Sequence, residues 1–402
     1  MKNILLITTG GTISSIVSKE GLVPSSSKEI LKEFGLHNLD INLNVLDLMC
    51  KDSTNISPAD WVFIAKAIFK NLNKYDGIVV THGTDTMAYT TSMLSYMIQN
   101  PSIPVVFTGS QLPISHPLTD GISNLHYAFA MASSNIPGIY MAFDRKIILG
   151  CRAVKVRTTG FHAFESINMK SVGTIDSKGL GISKLFQIPE KKDPILNTKY
   201  DDNIILVKLI PGLNPNIISS LIKTGIKGIV IEAFGIGGIP FENNDFTIPI
   251  KEAINKKIPV VVTSQCLYEE SDFSIYEVGN KVLELGVIPA LDMTTEACVT
   301  KLMWVLGQTN DYETIKKYFK QSIAGEINVK ELWKNIAPYF KYFFIFFTTS
   351  TTSSLNTKSA LLSKYVSLLL INTIILPWKY WTKEAAGWTI RLVPTTNIIS
   401  AS

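Results

Sequence analysis

Three short segments place hydroxyls, a carboxylate, a carboxamide and glycines directly after apolar runs. They are Thr8-Thr9-Gly10-Gly11-Thr12-Ile13, His82-Gly83-Thr84-Asp85-Thr86 and Gly109-Ser110-Gln111. A threonine hydroxyl is a weak nucleophile; to attack a carbonyl it needs a base, an orienting group and donors for the oxyanion that develops. The first segment could supply such a hydroxyl, and Thr84 beside Asp85 would add a second with an adjacent carboxylate. Neither of these is basic enough alone, so the missing element would be a lysine amine. Lys155, in Gly150-Cys151-Arg152-Ala153-Val154-Lys155-Val156-Arg157, lies on an otherwise apolar, strand-like stretch and is the candidate. The plainer readings stay open: a Gly-Gly turn whose hydroxyl merely caps the next turn of chain, and a lysine on a solvated strand face between Arg152 and Arg157.

A fourth segment, Asp52-Ser53-Thr54-Asn55, offers hydroxyl and backbone donors suited to a carboxylate, or equally an Asx/ST turn leading into a helix. Other chemistries lack their residues. Gly10-Gly11 is followed by Thr12-Ile13-Ser14-Ser15, so there is neither GxxxxGK[ST] nor GxGxxG for a nucleotide. No GxSxG elbow supports a Ser-His-Asp hydrolase. His82 precedes a glycine in a tight turn and reads as a structural imidazole. His37, His116, His126 and His162 show no ligand spacing, and no metal or cofactor site is expected.

The elements that must position these residues follow from hydrophobic patterning. Continuous apolar runs at Asn3–Thr8, Asp76–Thr81, Ile103–Thr108 and Gly138–Phe143 alternate with helix-like stretches at Pro58–Leu72, Thr86–Gln99 and Asp120–Ala132. Ser57, with Asp60 three residues on, is a capping signal for the first helix. Such alternation predicts an α/β fold with parallel sheets covered on both faces, where ligands bind beyond the carboxyl ends of the strands. The pattern breaks in a polar stretch near Ile182–Asp202. A second series comes after it, with strands at Ile204–Leu209, Lys227–Ala233 and Ile258–Thr263 and helices near Asn216–Lys223, Ile250–Lys257, Val278–Leu285, Thr294–Leu306 and Tyr312–Lys320. The expectation is two Rossmann-like α/β domains, a larger N-terminal one over 1–185 and a smaller one over 204–334, joined by a linker at 186–203.

The 402 residues suit two domains, and 46% hydrophobic with 18% charged residues excludes collagen-like, coiled-coil and wholly disordered chains. Of 38 basic and 33 acidic residues, six basic and one acidic lie in 339–402, leaving 32 of each in 1–338. The net charge of +5 therefore sits in the tail and does not argue for nucleic-acid binding by the main body. Cys50, Cys151, Cys266 and Cys298 form no CxxC pair or dense framework, which fits a reducing compartment. Ile4–Ile7 is too short for a secretory core, so a cytoplasmic protein is expected. Residues 335–402 change character: Tyr339–Phe347 is almost wholly aromatic and Thr348–Ser354 is Thr/Ser only. The apolar run Tyr365–Leu376 falls short of the ~20 residues of a spanning helix. No membrane partner is expected, and the tail reads as a poorly ordered extension or a continuation past the domain end.

Taken together, Thr9-Gly10-Gly11-Thr12-Ile13, Asp52-Ser53, Thr81–Met87, Thr108-Gly109-Ser110 and Asp292–Ala297 resemble the bacterial and archaeal L-asparaginase family, in its cytoplasmic type. The resemblance runs from Met1 to about 328. It implies a two-domain α/β enzyme that hydrolyses L-asparagine to L-aspartate and ammonia without a cofactor, working as a homodimer or homotetramer. By the same resemblance Thr12 is the nucleophile that forms an acyl-enzyme; Thr84, Asp85 and Lys155 are the second catalytic group, Asp85 also binding the substrate amino group; Ser53 with Asp52 is the carboxylate site. Many relatives carry a loop tyrosine where Glu20-Gly21-Leu22-Val23-Pro24 has Leu22, which leaves the group that activates Thr12 open. Two other readings compete: an asparaginase-like subunit of a tRNA-dependent amidotransferase, whose family carries a further domain before TGGT, and a catalytically silent amino-acid-binding protein.

Overall fold

The computed structural model describes residues 1–18, 21–24, 27, 30, 32, 41–271, 273, 282–328, 382–384 and 387–389, with backbone alone for 16–18, 21–24, 382–384 and 387–389. The chain forms two units, Met1–Val329 and Lys330–Ser402. In the second, Thr382–Glu384 pairs antiparallel with Gly387–Thr389. The expected features of the tail, its aromatic and apolar runs included, lie outside the described residues.

In the first unit, the N-terminal sheet is built on β1 (Lys2–Gly10), β2 (Ile41–Lys51), β3 (Gly77–Thr81), β4 (Pro104–Thr108) and β5 (Gly138–Phe143). β3 and β4 are buried along their whole length, as is β1 from Ile4 onward, because helices cover both faces. The parallel strands run in the order β2-β1-β3-β4-β5. The chain therefore steps from β1 to one side and then returns to the other, leaving a crevice between the carboxyl ends of β1 and β3.

Beyond β5 the sheet departs from the expected parallel pattern. β6 (Lys146–Leu149) turns back antiparallel on β5, with Asp144 and Arg145 at φ of 45° and 62° in a two-residue hairpin turn. The ribbon of β7 (Ala153–Lys155) and β8 (Phe164–Ser166) forms next, and β9 (Gly173–Asp176) and β10 (Gly179–Ile182) then extend the sheet to eight strands. These strands are three or four residues long and partly polar, so they carry no apolar run.

The C-terminal sheet is parallel, in the order β11 (Ile204–Lys208), β12 (Gly228–Ala233), β13 (Val260–Ser264) and β14 (Ile288–Pro289). Of the expected helix at Val278–Leu285, Val282–Leu285 is described and helical.

The helices of the N-terminal half are α1 (Pro58–Asn71), α2 (Met87–Met97) and α3 (Gly121–Ala132). α1 opens with the expected capping box, Ser57 and Asp60 each bonding the other's backbone. α2 is buried on nearly every side, because α6 (Thr295–Leu306) of the C-terminal half packs on it; between them in sequence lie α4 (Asn216–Lys223) and α5 (Thr247–Asn255), with α7 (Tyr312–Lys320) after. The hydroxyl of Tyr96 donates to the carbonyl of Ala297, and one hydrophobic core runs from Leu5 and Ile7 through Tyr96 to Trp304 and Phe319. The two halves thus share a core and hold the ends of their elements in fixed relation.

Candidate active site

The crevice between β1 and β3 is where the first two segments meet. Gly10 and Gly11 adopt φ of 104° and 82°, a region L side chains rarely enter. A Cβ on Gly11 would lie 2.4 Å from the backbone nitrogen of Gly83, and one on Gly83 would lie 2.6 Å from Ser53 Oγ. The glycines let three turns touch, which brings Thr12, Ser53 and Thr84 to one crevice from sites up to 72 residues apart. Ser14 Oγ and Ser15 Oγ both donate to the Gly11 carbonyl, holding the Thr12–Ser14 turn in which Thr12 itself stays half-buried.

Lys155, at the end of β7, reaches this crevice. Its Nζ donates to Thr84 Oγ1 at 2.8 Å and lies 2.6 Å from Asp85 Oδ1, with the lysine side chain only 18% exposed. The three cations of this stretch are thus used separately. Arg152 is fully buried against Asp292, and Arg157 pairs with Glu165 at the surface.

Ser53 is buried, and Thr86 Oγ1 donates to its carbonyl at 2.8 Å. Asp52 is exposed and its carboxylate accepts from Thr54 N and Thr54 Oγ1. That is an Asx turn, and it fixes the backbone on which Ser53 sits.

Sequence reasoning named Gln111 but assigned it no role. Its Oε1 accepts from Thr84 Oγ1 at 3.2 Å, while its Nε2 donates to the carbonyls of Thr158 and Gly160. Asp120 in turn accepts from the backbone nitrogens of Gln111 and Leu112. Burial raises the pKa of Asp120 despite these bonds. The signal for both was a carboxamide just past a strand end and an acidic residue at the next helix start.

His82 supports the site without facing it. The indole of Trp61 donates to Thr90 Oγ1, the hydroxyl of Thr90 donates to His82 Nε2, and Nδ1–H donates to the carbonyl of Gly83. Burial lowers the pKa of His82 from 6.5 to about 4, so the neutral ring holds the turn. The unfolded chain takes up this proton near 6.5, and the folded chain only near 4. Stability from this group is therefore complete above 6.5 and falls as pH drops toward 4, by up to ~3 kcal/mol. Urea unfolding against pH should show a shallower slope over that window for His82→Gln than for the wild type; parallel curves would refute it.

Among the described residues no cluster of three His, Cys, Asp or Glu could hold a metal ion, and no helix is long and apolar enough to cross a membrane.

Residues 3–185 match the family model "Asparaginase, N-terminal", and residues 203–319 match "Glutaminase/Asparaginase C-terminal domain". The chain is 44% identical over 326 residues to an L-asparaginase of Thermococcus kodakarensis, covering 81% of this chain and 98% of that one. It is 35% identical over 342 residues to a glutamyl-tRNA(Gln) amidotransferase subunit of Methanobrevibacter smithii, covering 82% and 78%. The solved structure of the thermostable L-asparaginase from Thermococcus kodakarensis superposes with a TM-score of 0.78 at 43% identity, covering 81% of this chain and 99% of that one. A mixed α/β fold with a crevice of threonines, a lysine and a carboxylate, together with matches along both halves, establishes that the chain belongs to the asparaginase family of amidohydrolases.

Proposed function

We propose that the protein is an L-asparaginase that hydrolyses L-asparagine to L-aspartate and ammonia through a threonyl ester. The observation that carries this reading is the Lys155–Thr84–Asp85 group at the mouth of the crevice that also holds Thr12. The Thr12 hydroxyl adds to the side-chain amide carbon, and the C–N bond of the tetrahedral adduct breaks as the nitrogen leaves with a proton as ammonia. Water then attacks the ester. Lys155 draws a proton through the Thr84 hydroxyl while Thr84 takes one from the water, and aspartate leaves as Thr12 recovers its proton. Gln111 and Lys155 both contact the Thr84 hydroxyl and hold its oxygen in place.

In the same reading Asp85 receives the substrate ammonium and Ser53 the α-carboxylate, with Asp52 holding the turn beneath Ser53. No cofactor enters any step. Leu22 pairs with Val17 in a backbone hairpin, and its side chain lies outside the described residues. The test is ammonia release by the purified chain from L-asparagine and from L-glutamine. Release from asparagine is expected, and a folded wild type that releases none refutes the reading in favour of a silent binding protein.

The likeness to the amidotransferase subunit supports a second reading, in which the ammonia passes to a partner protein. Co-purification with a partner subunit that consumes the ammonia would select it.

A further inference from the structure

Behind the catalytic ribbon lies a cavity of about 880 Å³ that the reaction does not use. Its walls come from β8, β9, β10, the segment Asn168–Ser171 and Tyr268. Ser166 and Glu165 of β8 stand opposite Ala153 and Val154 of β7, so the cavity and Lys155 are served by the same ribbon.

Two features of its lining point to one ligand chemistry. Lys146 and Lys170 both line it, and neither has a carboxylate at ion-pair distance among the described residues. Glu165, the one acidic lining residue, is already neutralised: Arg157 pairs with it at 3.1 Å and the hydroxyl of Tyr268 donates to it. These bonds hold its carboxyl below the usual range. Ser171, Thr174 and the small residues Gly173 and Gly181 complete the wall. A second groove shares Lys146, Glu165 and Thr174 and adds Arg145, Arg157, His162 and Asp144. There too the acidic group is taken, since Asp144 meets His162.

We infer that this cavity is a binding site for a phosphate group, free or carried on a small molecule, held by Lys146 and Lys170 with the hydroxyls of Ser171 and Thr174. The uncommitted cations are both lysines, which act as point charges, whereas the planar fork of Arg157 that would suit a carboxylate is spent on Glu165 and the carbonyl of His162. Two ammonium groups with no carboxylate at ion-pair distance among the described residues, and a set of hydroxyls, match a dianion with several acceptor oxygens. The inference does not depend on which amide the enzyme hydrolyses.

Calorimetric titration of the full chain with inorganic phosphate and, separately, with glucose 6-phosphate tests it. Saturable binding of at least one is expected, weakened about tenfold or more by Lys146→Gln and further by adding Lys170→Gln, with ammonia release unchanged. Tighter binding of the sugar phosphate would identify the carried form, and equal binding the free ion. Equal binding by the wild type and the double lysine variant, or no binding of either probe by the wild type, overturns the inference.

Discussion

Thr12→Ala is expected to lower the turnover of L-asparagine by ~10³-fold or more, a loss of about 4 kcal/mol in transition-state stabilisation, with folding unchanged. The loss is large because, in the proposed mechanism, this hydroxyl makes the covalent bond. Folding is spared because the turn does not lean on this hydroxyl. Ser14 and Ser15 bond the Gly11 carbonyl, and Ile13 supplies the core contact. Steady-state ammonia release, with thermal melts of both proteins, is the measurement. A variant that folds and keeps a tenth or more of wild-type turnover would remove Thr12 from the mechanism.

Lys301→Met should produce the largest loss of stability, ~3–5 kcal/mol at neutral pH. The side chains of Lys301 on α6 and Glu326 are fully buried and in direct contact. Glu326 also accepts from the backbone nitrogens of Ile323 and Ala324. Burial alone would push the carboxyl up, but Lys301 and these bonds outweigh it and hold its pKa below 4.5. The methionine variant would leave this carboxylate buried without its cation.

The sign with pH is set by that lowered pKa. In the wild type the contribution is complete above 4.5 and is lost as pH falls through the lower folded value. The gap between wild type and variant should therefore be widest near neutrality and close in acid, where Glu326 is protonated in both. Adding Glu326→Gln should recover most of the loss, because the uncompensated charge is removed while the amide oxygen can still accept from the backbone nitrogens of Ile323 and Ala324. Urea unfolding of the three proteins at neutral and acid pH decides the matter, and a Lys301→Met chain within about 1 kcal/mol of wild type at neutral pH would refute it. The consequence reaches the site as well. The carbonyl of Gly325, in the same loop, accepts from Arg152 Nε, and Arg152 lies three residues before Lys155.

Much of this site was legible in the sequence for a local reason. Runs such as Gly77–Thr81 and Pro104–Thr108 are apolar without interruption, so they had to be strands covered on both faces, and the polar residues after them had to lie at the carboxyl edge. The Ser57–Asp60 capping box and the Asx turn at Asp52 were equally local. What escaped was whatever depends on being covered from one side only. β2 alternates between half-buried and exposed residues along the sheet edge, and β6, β9 and β10 are too short to show a period. α2, expected as a helix over Thr86–Gln99, shows little amphipathicity because α6, some 200 residues later, closes over its outer face, and that partner was not legible.

The sequence by itself determined the order of the strands' chemical endings, the threonine turns and the glycines that let backbones touch, because each of these is a matter of neighbours along the chain. Tertiary structure alone decided the rest. The contact of Lys155 with Thr84 spans 71 residues, and nothing in the local pattern separates Lys155 from Arg157, which pairs at the surface, or the buried Lys301 from the exposed Lys317. A charge acquires its role from what packs against it, and that is set by the closing of one sheet, one ribbon and one helix around it.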